Sequence, residues 1–570
     1  MYSRKMALVL LAFLTVVLIG LRLPIIGYGM PFDLGNVDEN DFIGEALHYG
    51  AFKTIKPIIT WYPAFYSYLL SAGIAVYFLL LLAAGQLAGV TEFAGSYLLE
   101  PGFFHLVGRV QALFFSILTL LLLYQCGKQY KDTLTGLLTA TLFTLSTVVL
   151  QRTVWALPES AFLLLSVTSL YFVLKFHQSR KVQDILWSGL FCGLGISTKI
   201  NVGSLALIGI AGCFLVKRDQ RKSLTDGFII ECLKSRSLYL YSGFLVVGFL
   251  LGSPYWLVDL RENLSGLEWE LGRLAVEKGG SPDLVFSKWP VVWIFSELIL
   301  NETGMGALIL WAVVYQCYRM FKGDIALYLF FPYLVASLLL IGVQGKHSIH
   351  YFIPVFPVLF LLTGATLAPF FSSPVRWRRS VAVAAIVALL ITGYSSAGYA
   401  YSYSGKDTRL QAREWIQSHA PPGSTIAMGK NTSSPPLPDN TRFDKLYYSS
   451  ISEQIMAKSL PESIKAVYYQ RTGESSYRIV TYIVKGSFGR QASFSSMMED
   501  FTIVPYEDIA SANPLFLVFS MPDTLYLAPR NFRDILDVPG YRDHLRFVTQ
   551  FLPGPRTASA PSLFLYRFTE

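Results

Sequence analysis

"MALVLLAFLTVVLIGL", residues 6–21, runs sixteen residues without a charge. "MYSRK" precedes it, as a basic leader precedes the core of a signal peptide. No small-x-small cleavage site follows, so the run reads as a retained first membrane span. A polar stretch, "GNVDENDFIGEALHYG", residues 35–50, then gathers Asp38, Glu39, Asp41 and Glu45 just beyond the apolar run. Four carboxylates at a bilayer edge are either a solvated loop with a helix cap or the seat of chemistry.

Composition carries the membrane reading outward. Of 570 residues, 53% are hydrophobic and 15% charged, with a mean hydropathy of +0.45. A soluble chain carries about 25% charged residues. The net charge of +9 lies mostly in short loops between apolar segments. Such a charge reports topology and calls for no nucleic-acid partner. The five cysteines, Cys126, Cys192, Cys213, Cys232 and Cys317, fall in or beside apolar segments without metal-ligand spacing. That pattern argues against a disulfide framework or a zinc-thiolate site.

The chain divides into two regions. Residues 1–400 are membrane-like, with an acidic first outer loop over 29–62. Residues 401–570 lack an 18-residue apolar run and suffice for one soluble α/β domain. There "DTRLQAREWIQSHA" (407–420) predicts a helix, and "STIAMG", "YRIVTYIV", "PLFLVFSM" and "SLFLYRF" predict strands. The basic loops alternate with expected spans near 6–21, 104–126, 133–150, 158–175, 183–199, 201–216, 238–256, 291–318, 325–343, 350–371 and 379–400. The positive-inside rule makes the basic side cytoplasmic and the 401–570 domain extracytoplasmic. Parity then requires one segment not to cross. The segment 64–90 is chosen, as an interfacial helix or a hairpin bending near Gly73 or Gly85. The expectation is a multi-pass protein of the inner (plasma) membrane with about 11–12 helices.

Two sets of side chains face the outer side on this topology. Asp38 or Asn36 would cap a surface helix whose apolar face is Phe42, Ile43, Ala46 and Leu47. Glu159, in "RTVWALPES", emerges on the same side, where Pro158 and an acid also suit a helix start. Arg109, Lys199, His347 and His350 are the basic groups near outer span ends. Singly, each is a snorkelling side chain; together with two acids they suit a phosphate-bearing, lipid-embedded ligand. Asp38 and Glu159 are the candidates for a divalent metal ion, and no certain cofactor is indicated. P-loop, GxGxxG, GxSxG and HExxH patterns are missing, which leaves ATP-driven transport and serine hydrolysis unsupported.

In order, the chain holds Asp38-Glu39 after the first span, Tyr62-Pro63, Gly108-Arg109, a second outer acid at Glu159, "GLGISTKIN" with Lys199, and a His- and aromatic-containing loop leading to "IPVFPVLFLLTG". That order resembles the membrane glycosyltransferases of the GT-C fold, in the protein O-mannosyltransferase and aminoarabinose-transferase branch. The resemblance implies a sugar donor on polyprenyl phosphate and a protein, lipid or glycan acceptor at the outer face. It also implies inversion at the anomeric carbon. Asp38 would be the base, helped by Glu39 and Glu159, and Arg109, Lys199, His347 and His350 would bind the donor phosphate. The competing readings are a transporter or flippase for lipid-linked glycans and a non-catalytic membrane scaffold.

Overall fold

The computed structural model describes residues 4–36, 38–219, 228–276, 290–342, 349–429, 434–440, 461–481, 483–485, 501–503, 509–521, 541–557 and 560–568. His347 lies outside the described residues. The chain forms two compact units. The first comprises residues 1–23, 56–69 and 110–399, the second 24–55, 70–109 and 400–570.

The first ten α-helices are α1 (Arg4–Ile26), α2 (Glu39–Ala51), α3 (Phe65–Ala83), α4 (Val90–Leu99), α5 (Gly102–Tyr130), α6 (Thr133–Leu145), α7 (Thr147–Thr153), α8 (Pro158–Ser179), α9 (Val182–Ile196) and α10 (Ala206–Asp219). Among the described residues, seven helices are long and apolar enough to cross a membrane, or eight if α6 and α7, bent by 62°, form one span. Five further apolar helices, Val182–Ile196, Arg236–Gly252, Val292–Asn301, Met305–Phe321 and Leu327–Ile341, are shorter.

Three expectations change. The segment 291–318 is not one span but two helices, Pro290–Asn301 and Met305–Phe321. Gly304 turns the chain between them at φ +87, where a Cβ would stand 2.4 Å from the Ala388 carbonyl oxygen. The segment 133–150 is likewise broken at Ser146, whose hydroxyl accepts from Val149 N at 3.1 Å and starts α7. Both segments are apolar on average, so a hydropathy window runs straight across their breaks. Third, 64–90 contains no hairpin at Gly73; α3 runs unbroken to Ala83, and Gly85 comes next at φ +68.

The core of the first unit is one apolar cluster that includes Leu14, Phe143, Phe162, Ile294 and Phe360. Residues 351–368 of the helix Ile349–Phe371 are buried throughout. Close helix approach depends on small residues. A Cβ on Gly193 of α9 would sit 2.0 Å from the Leu245 carbonyl oxygen.

The second unit holds a five-stranded sheet ordered β2-β1-β5-β7-β6, from β1 (Thr425–Met428), β2 (Arg478–Thr481), β5 (Phe516–Met521), β6 (Leu545–Phe551) and β7 (Ser562–Phe568). β1 runs parallel to β2 and β5, while β7 is antiparallel to β5 and β6. All four expected strand segments are strands, but "YRIVTYIV" splits: its end, β3 (Ile483–Lys485), pairs with β4 (Phe501–Ile503) in a separate sheet. The helix Thr408–His419 packs Ala412 and Ile416 onto Ile426, Val518 and Leu565.

Candidate active site

In the second unit the site begins at the start of α2. Asp38 occupies the cap position at φ −68, ψ −18, yet its side chain makes no capping hydrogen bond and is exposed. Asn36 does that work, accepting Asp38 N at 3.0 Å on its side chain and Glu39 N at 3.1 Å on its carbonyl. Glu39 turns inward. Its Oε1 accepts from Arg109 Nε at 2.9 Å and its Oε2 from Nη2 at 2.7 Å, and both side chains are fully buried. The remaining Arg109 nitrogen, Nη1, donates to the carbonyls of Ile26 at 3.1 Å and Tyr28 at 2.9 Å. This planar fork ties α2 to the end of α1 and the start of α5. His105 adds a second tie, joining the Pro101 carbonyl to the Asn40 side chain.

The buried face of α2 holds Phe42, Ile43 and Ala46 as expected, together with Tyr49 and Glu45. Asp41 lies one turn from Asp38. Burial, and then the Asp38 charge, push its carboxyl up to about 6. An exposed carboxylate therefore projects from a helix whose neighbouring acid is locked in a buried ion pair.

In the first unit a different group forms where α7 gives way to α8. Pro158 opens α8 and puts Glu159 in its first turn, where the carboxylate is buried. Lys199 Nζ donates to Glu159 Oε1 at 2.8 Å and stands 5.6 Å from the centroid of the Tyr62 ring. Lys199 itself is extended, at φ −159, ψ 122, between the end of α9 and the 3-10 turn Ile200–Leu205. Two arginines not singled out by the sequence reading meet the C-terminal end of α7 or belong to it. Arg152 of α7 donates through Nη2 to His350 Nδ1 at 3.0 Å. That bond fixes the neutral ring with its proton on Nε2. Arg22 is fully buried and donates to Thr153 Oγ1 at 3.0 Å and the Leu18 carbonyl at 3.3 Å. Among the described residues, neither Arg22 nor Arg152 has a carboxylate within ion-pair distance.

Glu302 is the other residue that the sequence reading passed over. It is wholly buried between the two helices that replace the expected single span. Its carboxylate accepts from Thr147 N at 3.2 Å, Val148 N at 3.0 Å and the Ser146 hydroxyl, and so closes the N-terminus of α7. The only available signal was an acid in a largely apolar stretch that also holds Glu297.

Among the described residues no group of three His, Cys, Asp or Glu side chains could hold a metal ion. Glu159, a sequence candidate, already carries the Lys199 ammonium. Among the described residues the five cysteines form no disulfide.

Residues 96–256 match the family of dolichyl-phosphate-mannose-protein mannosyltransferases. No curated protein matches the chain. Among solved structures, ArnT from Cupriavidus metallidurans in the apo state aligns at 12% identity and TM-score 0.51, covering 98% of this chain and 97% of that one. The same protein bound to undecaprenyl phosphate aligns at 13% identity and TM-score 0.50, over 99% and 98% of the two chains. The apo oligosaccharyltransferase of Archaeoglobus fulgidus aligns at 12% identity and TM-score 0.47, over 91% and 70%. With its helical membrane region and its mixed C-terminal sheet, the chain is a multi-pass membrane protein with the GT-C fold that it shares with ArnT.

Proposed function

We propose that this chain transfers a sugar from a polyprenyl-phosphate donor to a protein, lipid or glycan acceptor at the outer face of the plasma membrane, with inversion. The observation that carries this reading is Asp38: exposed, free of the capping bond its position invites, and mounted on a helix held by the buried Glu39–Arg109 fork. A base of that kind needs freedom to meet an acceptor and rigidity behind it.

The chemistry is one displacement. The acceptor oxygen or nitrogen forms a bond to the anomeric carbon as the bond from that carbon to the phosphate oxygen breaks. Polyprenyl phosphate leaves with the bonding pair as a monoester, and Asp38 takes the acceptor proton. Such a leaving group needs positive charge at the phosphate more than it needs a general acid. Arg152, Lys199 and His350 are assigned to the phosphate. Arg109, whose N–H groups already serve Glu39 and two carbonyls, is assigned to positioning. No step is routed through a metal ion.

The test is release of polyprenyl phosphate by purified protein from a lipid-linked sugar, in the presence and absence of acceptor. Stimulated release supports transfer. Movement of an intact lipid-linked sugar across a vesicle bilayer, without release, would identify a flippase instead.

A further inference from the structure

One polar side chain of the first unit has no role in the assignments above. Asn201 lies two residues past Lys199, on the 3-10 turn Ile200–Leu205. Its Oδ1 and Nδ2 are both buried, and among the described residues neither has a hydrogen-bond partner. This turn packs against α8, whose first turn holds two more such atoms, Glu159 Oε2 and Ser160 Oγ. Polar groups shut away from water without partners oppose folding and persist where something else compensates for them. The backbone here is irregular as well, and at membrane depth irregular backbone is tolerated only where protein surrounds it or where it lines a polar cavity.

We propose that Asn201, together with Glu159 Oε2, reads the ring hydroxyls of the donor sugar. The proposal rests on the glycosyltransferase reading and deepens it. A carboxamide presents one acceptor and one donor edge side by side. Two neighbouring hydroxyls of a sugar ring present the complementary pair. A free carboxylate oxygen accepts from a third hydroxyl, and an aromatic ring such as Tyr62 offers an apolar surface to the C–H face. The donor sugar is favoured over the acceptor because Lys199, assigned to the donor phosphate, is only two residues away, and the sugar is joined directly to that phosphate.

The experiment measures binding, so that it does not depend on turnover. The probes are farnesyl phosphate alone and farnesyl phosphate carrying mannose, glucose or arabinose. They are titrated calorimetrically into purified wild type, Asn201→Ala and Asn201→Asp, each first checked for monodispersity and for a melting temperature no lower than that of wild type. Wild type should bind at least one sugar-bearing probe about tenfold more tightly than the bare lipid phosphate, the discrimination expected of one or two well-made hydrogen bonds. Asn201→Ala should lose that preference and keep its affinity for bare farnesyl phosphate. Asn201→Asp, which keeps the shape and loses the donor, should fall between them. A preference that survives in Asn201→Ala, or an equal weakening of bare and sugar-bearing probes, overturns the subsite. A wild type that binds farnesyl phosphate without preferring any sugar also overturns it and leaves the phosphate assignment standing. A wild type that binds no probe overturns the functional reading itself.

Discussion

A carboxylate at a helix start ordinarily commits its lone pairs to the N–H groups of the first turn, and a residue so engaged makes a poor proton acceptor. Asp38 has that task taken over by Asn36, which is why its exposure is informative. Replacing it should be nearly silent in stability and severe in turnover. For Asp38→Ala we expect a loss of about 100- to 10,000-fold in sugar transfer, the usual worth of a positioned base, with the melting temperature unchanged. Near-normal turnover would end the assignment. Arg109→Ala should behave in the opposite way. It strands Glu39 in the interior, and removing one partner of a buried pair costs about 3–5 kcal/mol, so unfolding should occur at markedly lower temperature. An Arg109→Ala protein that melts normally but binds farnesyl phosphate poorly would restore the phosphate role to that residue. Asp41 supplies a pH test. Its folded-state pKa of about 6 lies above the ordinary carboxylate value. Its contribution to stability is therefore fully present below about pH 4 and is lost as pH rises through about 6. Asp41→Asn should melt higher than wild type at pH 7.5, by an amount on the order of 2 kcal/mol, and the gap should close toward pH 4.5. Equal melting at pH 7.5 would show that Asp41 ionises without penalty.

At the scale of elements, the decisive feature is the break between α6 and α7. Three donors at the start of α7, from Ser146, Thr147 and Val148, converge on Glu302, more than 150 residues away in sequence. The far end of α7 carries Arg152 and Thr153, which meet His350 and Arg22. Glu302→Ala leaves those donors without a partner in the interior, so it should cost about 2–4 kcal/mol. Because α7 is a single rigid element, it should also weaken binding of farnesyl phosphate. A destabilised Glu302→Ala protein with wild-type affinity for that probe would separate α7 from the phosphate assignment. Glu302 also marks the limit of what the sequence discloses. Spans and strands were legible because they depend on local period and composition: the first span, the helix after Asp407 and strands such as "SLFLYRF" fall where those patterns put them. Asp38 stood out because its neighbours are acidic and lie beside a span. Arg22, Arg152 and Glu302 did not, because a single charge in an apolar run reads the same whether it snorkels or ties two distant helices together. The Glu39–Arg109 fork joins residues 70 apart, and only the folded chain reveals that it occupies the guanidinium.

For the whole molecule, the open matter is how many times the chain crosses the bilayer, and α3 decides it. Length and composition alone make Phe65–Ala83 a span, with 19 residues and a window hydropathy of 1.9. The contacts within the second unit argue otherwise. Before α3, Arg409 donates to the Leu34 carbonyl at 2.6 Å and Arg413 lies 4.3 Å from the centroid of the Phe32 ring. After α3, Leu98 of α4 packs with Ile464 and Tyr468, Glu92 pairs with Arg471 at 2.7 Å, and a Cβ on Gly95 would stand 2.4 Å from Val467. Residues on both sides of α3 thus touch the same polar region, 401–570, and one polar region cannot touch both faces of a membrane. A helix that leaves that face and returns to it without a second crossing must lie along the interface or dip into it, however apolar it is. Parity agrees, because Lys128 and Lys131 then come after one crossing beyond the acidic loop. Cysteine labelling with a membrane-impermeant maleimide on intact cells tests this. Gln86→Cys, at an exposed site just past α3, should label together with Gln417→Cys on the helix Thr408–His419, while Lys128→Cys should label only after permeabilisation. If Gln86→Cys instead labels only after permeabilisation while Lys128→Cys labels on intact cells, α3 crosses, and the face assigned to every later loop must be inverted.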